Sequence, residues 1–255
     1  MGIESVFAPL AQLPGKIGCY YKNLVTGEEY GYNENEQYMA ASVIKLPIFA
    51  AVAKMESEGR ASWAERLPVR KEEMVPSCGT LRFVTDDLPA LNTRALCQMM
   101  IVVSDNSATN ILIRRFGIEG LNKEFKELGL EQTHIERLLF DRDESLKGKN
   151  NRIVPKEMGE LLEKIYRHTL ATEEASKFVE DTLLDQQINH KIPGYLPGDI
   201  DVGHKTGEDD GITNDVGIVY AKEPFVLAFA CNETDVPAAE RAIRAISLAL
   251  VERQA

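Results

Sequence analysis

A chain of 255 residues, 44% hydrophobic and 27% charged, can bury a sizeable core in one large domain or two interleaved subdomains, and it does not have the composition of a disordered segment. With 40 acidic against 29 basic residues the formal net charge is -11, which repels phosphate backbones and anionic headgroups, so neither nucleic acid nor a membrane surface is expected as a partner. No run is long and apolar enough to span a bilayer.

The N-terminal residues Met1 to Phe7 carry no basic segment, and Glu4 interrupts their apolar run. The expectation is a cytoplasmic chain as it stands, extracytoplasmic if an export signal has been removed. Ile3, Val6, Phe7, Leu10 and Leu13 recur at helical spacing and predict a helix over 3–13, stopped by Pro14 and Gly15. Residues 17–21 and 28–32 read as two strands of a hairpin joined by the turn-rich 23–27. From about 40 to 190 the pattern is helical. Helices are predicted over 42–58, ended by Gly59; 93–103, capped by Thr93; 106–116, stopped by Gly117; 119–128, stopped by Gly129; 155–170; and 173–184. Between Phe140 and Val154 lies a polar, aperiodic stretch, the kind of long loop that is usually functional. Strands return at 201–206, 213–220 and 225–232, and a helix over 237–253 closes the pattern with Ile243, Ile246, Leu250 and Val251 inward.

The expected fold class is α/β (α+β). An antiparallel sheet is built from both ends of the chain, 1–35 and 191–255, and is covered by the terminal helices. An all-α subdomain over 36–190 is inserted between them. The cysteines Cys19, Cys78, Cys97 and Cys231 are scattered, with no CxxC pair and no histidines at metal spacing. They read as small buried hydrophobes, with Cys19 and Cys231 possible neighbours in one sheet and no disulfide expected.

Three short segments carry candidate chemistry. Ser42 and Lys45 stand three apart at the start of an apolar helix, so they share a face. A lysine desolvated there can take the serine proton, and free backbone N–H groups at the helix start can receive an oxyanion. An N-capping serine with a snorkelling lysine explains the same tetrapeptide when it stands alone. Ser104, Asp105 and Asn106 join two helical runs, where a polar side chain can shuttle a proton or bond an amide; a plain N-cap is the alternative. Lys205, Thr206 and Gly207 end a strand, where a lysine and a hydroxyl can hold a carboxylate and a glycine admits close approach. A sheet-edge strand ending in a turn is the plain alternative. His204 falls on the opposite strand face and is read as structural.

In this order SxxK, SDN and KTG resemble the motif set of class A β-lactamases and penicillin-binding proteins. Residues 40–47 and 100–113 and the coarse layout resemble that family too, so the resemblance covers nearly the whole chain. It implies a β-lactamase/transpeptidase-like fold and a serine hydrolase acting on a small molecule, a β-lactam or an acyl-peptide. Ser42 would attack the lactam carbonyl and Lys45 would help remove its proton, while Ser104 passes a proton to the leaving nitrogen. Asn106 would bind the substrate amide and steady Lys45. Lys205 and Thr206 would hold the carboxylate beside Gly207, and the amides of Ser42 and Glu208 would form the oxyanion hole. The resemblance implies no metal and no cofactor, and a monomer is expected.

Two departures stand out. The family's deacylating glutamate, in the pattern Glu-x-x-Leu-Asn, is missing from 138–155; Leu138, Leu139, Phe140 and Asp141 occupy its place. Asp141, Glu144 and Glu136 are the nearby carboxylates, and the loop is short. The arginine that many members carry on the next strand is absent from 213–218. The alternatives are therefore a DD-peptidase or esterase of the same fold, or a penicillin-binding sensor that deacylates slowly.

Overall fold

The computed structural model describes residues 2–84 and 90–254. A five-stranded antiparallel sheet forms the frame. Its strands are β1 (Lys16–Asn23), β2 (Glu29–Tyr32), β7 (Val202–Asp209), β8 (Ile212–Val219) and β9 (Phe225–Asn232), in the order β2-β1-β9-β8-β7. The expected fold class holds. β1 and β2 are the predicted hairpin, and β1 pairs along its whole length with β9, from Lys16↔Asn232 to Asn23↔Phe225. The two-residue strands β3 (Tyr38–Met39) and β6 (Arg152–Ile153) pair with each other, as do β4 (Arg66–Leu67) and β5 (Leu91–Asn92).

β9 shows why the sheet lies between two cores. Successive side chains on a strand face opposite ways. Phe225, Leu227, Phe229 and Cys231 join Ile17, Cys19 and Tyr21 against α1 (Ile3–Phe7) and α9 (Val236–Glu252). Val226, Ala228 and Ala230 face the other way, into the larger core shared with the helices of the middle of the chain. Those helices are α2 (Lys45–Ser57), α3 (Thr93–Val102), α4 (Asn106–Phe116), α5 (Ile118–Glu127), α6 (Arg142–Leu146), α7 (Pro155–Tyr166) and α8 (Glu173–Leu184). A strand buried on both faces has no polar side to display, which is why β9 reads as an unbroken apolar run. No helix among the described residues is long and apolar enough to cross a membrane.

Several expected boundaries move for identifiable reasons. The first helix is α only to Phe7 and continues as a 3₁₀ stretch over Ala8–Gln12, because Pro9 has no N–H to donate. Asn92, not Thr93, caps α3: its side chain accepts from Ala95 N at 2.8 Å. The stretch expected to be structureless contains α6 and β6. α6 starts at an Asp141 cap whose Oδ1 accepts from Glu144 N at 3.1 Å, and α7 stops at Tyr166 rather than 170. Val251 is only half-buried, whereas Ile243, Ile246 and Leu250 are enclosed. Cys19 and Cys231 lie on adjacent strands as free thiols, diagonal across the β1–β9 pair. Cys78 is exposed rather than buried, since it sits in an irregular loop beside a cleft.

Candidate active site

The nucleophile candidate is carried by a 3₁₀ turn, Ala41–Ile44, that runs straight into α2. Every residue of α2 from Lys45 to Ala53 is buried, so the apolar sequence around Lys45 drives this helix into the core and takes the lysine with it. Lys45 Nζ lies 2.8 Å from Ser42 Oγ, 2.9 Å from both Ser104 O and Ser104 Oγ, and 2.6 Å from Asn106 Oδ1. None of these partners is a carboxylate. Burial, reinforced by the nearby Lys205 charge, pushes the Lys45 amine well below its ordinary range. Ser104 O and Asn106 Oδ1 can only accept, so once the amine is neutral they take its two N–H bonds and its lone pair is left for a hydroxyl, the arrangement a general base needs.

Ser104 stands between α3 and α4 with φ +54°, a left-handed backbone that a non-glycine residue adopts at a cost. That conformation aims Oγ between two lysines, Lys45 at 2.9 Å and Lys205 Nζ at 3.1 Å. Asp105 is structural. One oxygen caps α4 through Ala108 N at 2.9 Å, and the other accepts from Thr80 N and Leu81 N, which ties down the loop beside the cleft. Asn106 opens α4 and donates Nδ2 to Pro76 O at 3.1 Å.

One turn further along α4 is a residue that the sequence reading missed. Asn110 accepts from Leu139 N at 2.8 Å and donates to Leu139 O at 2.9 Å, so a single buried side chain holds the loop at Leu139 from both sides. The available signal was an asparagine four residues after Asn106, on the same helical face. Asn110→Ala removes both hydrogen bonds to the half-buried Leu139 backbone, each worth about 0.5–1.5 kcal/mol. Thermal denaturation should therefore show a lower melting temperature, with proteolytic cleavage rising first within 138–155. An unchanged melting profile and cleavage pattern would show that the clamp is dispensable.

β7 forms the free edge of the sheet and the opposite wall. Lys205 is fully buried, with Nζ on Ser104 Oγ and, at 2.8 Å, on Thr206 O. Burial pulls its ammonium down to about 7, against an opposing pull from Asp215. Gly207 is required sterically: a Cβ there would stand 2.9 Å from Ala40 O and 3.1 Å from Ser42 N, so only glycine lets β7 lie against the nucleophile turn. Asn214 anchors that turn from β8, donating to Met39 O at 2.9 Å and Ala40 O at 3.1 Å. His204 points away from the cleft, within 2.9 Å of Asp215 Oδ1 and of Asn189 Oδ1.

Between these walls is a cleft of about 690 Å³ lined by Ser42, Ser104, Asn106, Thr206 and Glu208, with Leu139 and Asp141 on the loop side. Lys45 and Lys205 stand directly behind it. Of the three candidate loop carboxylates only Asp141 reaches the cleft, and one of its oxygens caps α6. Glu144 is held between Lys147 and Lys149, whose hydrogen bonds keep its carboxyl down at about 2, and Glu136 accepts from Asn150 N at 2.7 Å. Among the described residues no group of three His, Cys, Asp or Glu could hold a metal ion.

Comparison with known proteins places the fold in a family. Residues 3–254 match the family described as the beta-lactamase enzyme family. A carbapenem-hydrolyzing beta-lactamase KPC from Klebsiella oxytoca is 27% identical over 235 residues, 89% of this chain and 79% of that protein. A beta-lactamase from Rhodobacter capsulatus is 29% identical over 136 residues, 53% of this chain, and the match spans less than half, 46%, of that relative. Among solved structures, a beta-lactamase from Sphaerobacter thermophilus superposes with a TM-score of 0.89 at 28% identity, covering 99% of this chain and 96% of that one. PBP-A does so with a TM-score of 0.89 at 27% identity, covering 99% and 95%. With the match running almost end to end, and a serine, two lysines and a second serine drawn together at one cleft, the chain belongs to the beta-lactamase enzyme family.

Proposed function

We propose that the protein is a serine hydrolase that β-lactams acylate at Ser42 and that releases the acyl group slowly. The observation that carries this reading is the Lys45 amine 2.8 Å from Ser42 Oγ, buried with no carboxylate among its partners. Lys45 takes the Ser42 proton as the Oγ–carbonyl bond forms. As the lactam C–N bond breaks, Ser104 passes a proton to the departing nitrogen, and its place between the two lysines supports that relay. The amides of Ser42 and Glu208 receive the oxyanion. Lys205 and Thr206 hold the substrate carboxylate, and Asn106 meets the side-chain amide. Water then cleaves the ester. Leu139 favours slow cleavage, because an apolar side chain lines the cleft in the loop segment where the family carries its water-activating glutamate.

Intact-mass analysis after mixing with benzylpenicillin tests this directly. The expected result is a gain of one whole penicillin on Ser42 that appears quickly and decays over many minutes. Absence of any adduct, or its formation in a Ser42→Ala variant, would refute acylation at this serine. Rapid turnover with no detectable adduct would refute slow release alone.

A further inference from the structure

Three lysines among the described residues are fully buried. Lys45 and Lys205 stand behind the cleft; Lys191 does not, and the proposed acylation chemistry leaves it unused. Its side chain is 0% exposed and lies across the seam between β7 and β8. Nζ donates to Gly207 O at 3.2 Å and to Asn214 O at 3.1 Å, two residues paired in the β-ladder, and stands 3.1 Å from Glu208 Oε1. Three acceptors use all three donors of an ammonium, so none is left for a ligand.

The Gly207 carbonyl belongs to the same peptide unit as the Glu208 N–H. A trans peptide is planar and points its C=O and N–H in opposite directions. With Gly207 O turned into the seam towards Lys191, the Glu208 N–H points off the free edge of the sheet, on the side where Glu208 lines the cleft. The Ser42 amide is close by, 3.1 Å from where a Gly207 Cβ would be.

We propose that Lys191 is a positioning residue for the oxyanion hole: its ammonium fixes and polarises the Gly207–Glu208 peptide, strengthening the Glu208 N–H as a donor to the oxyanion formed when Ser42 attacks. The inference rests on the acylation chemistry proposed for Ser42. A charge-assisted bond to the carbonyl oxygen draws density through the amide, and linked hydrogen bonds reinforce each other most in a water-poor interior. Losing a whole oxyanion donor costs about 10²–10³ in kcat, so a donor weakened but still present should cost about 10-fold.

The test uses the full chain, Lys191→Met, and two acyl donors: benzylpenicillin, which carries a carboxylate, and p-nitrophenyl acetate, which does not. The expected result is an acylation rate about 10-fold lower on both, with the acyl-enzyme carbonyl band moved to higher frequency in infrared difference spectra. A loss confined to benzylpenicillin would mean that Lys191 serves the carboxylate, and would overturn the proposal. A slower rate with an unmoved band would reduce Lys191 to a structural part, and an unchanged rate would overturn the proposal outright. Should the methionine variant fail to fold, Lys191→Gln, a neutral donor one bond shorter, carries the same two readouts. Failure of the wild-type protein to acylate at Ser42 would instead refute the acylation chemistry, so the two failures are distinct.

Discussion

Leu139→Glu should speed breakdown of the acyl-enzyme by about 10²–10⁴-fold, the usual worth of a placed general base. The backbone at 139 is already held as a base would need it, with its N–H and C=O both bound to Asn110. Its side chain is half-buried and lines the cleft that contains Ser42, so a carboxylate there keeps contact with water. Glutamate is close to leucine in bulk, which limits the packing cost. The measurement is the decay rate of the benzylpenicillin adduct, with steady-state hydrolysis rising in step. If the decay rate does not change, the apolar residue at 139 is not what limits release. Asp141→Asn is then the informative partner variant, because Asp141 is the loop carboxylate that reaches the cleft.

Lys45→Met should slow acylation by about 10²–10⁴-fold without enlarging the side chain. Its pH profile is as diagnostic as its magnitude. In the wild-type protein the Lys45 amine is pushed well below its ordinary range, so acylation should rise with pH as Lys45 loses its proton. It should fall again above about 7, where Lys205 loses the charge that holds the substrate carboxylate. The methionine variant should lose the acid limb and keep the alkaline one. A variant that acylates at the wild-type rate, or keeps both limbs, would remove Lys45 from the proton transfer. Stability follows the same shift. A lysine lowered on folding is protonated in both states below its folded value, so its penalty is fully present there. Between about 7 and the ordinary 10.5 of Lys205 the unfolded chain binds more protons, and the folded state gains stability as pH rises through that window.

Legibility in the sequence follows the range of the interaction. Ser42 and Lys45 share a helical face by spacing, and strand alternation separates Lys205 from His204, so both relations are local and periodicity alone reveals them. The sheet from both ends of the chain was legible in its apolar runs. Contacts between distant segments left no such trace. Nothing periodic links Asn110 to Leu139 or Asp105 to Thr80, and Lys191 reads as an ordinary loop charge until β7 and β8 are placed beneath it. Two misses were avoidable: Pro9 could not have sustained a helix through residue 13, and Asp141 three residues before Glu144 is a helix-start pattern.

The pairing of β1 with β9 bears on how the molecule is made. β1 finds β2 at once in the first hairpin, but its other neighbour, β9, lies some two hundred residues further along, so a nascent chain carries that side of β1 unpaired until residues 225–232 have been made. Such distant pairings are entropically expensive to close and form slowly. The nucleophile turn depends on the same late segments, since Asn214 and Asn232 hold Met39 and Ala40 from the C-terminal strands. The helices of the middle share their core with Val216, Ile218, Val226, Ala228 and Ala230, so both that core and the anchoring of the Ser42 turn wait for the C-terminal strands. Reactivity is thus the last property this chain acquires.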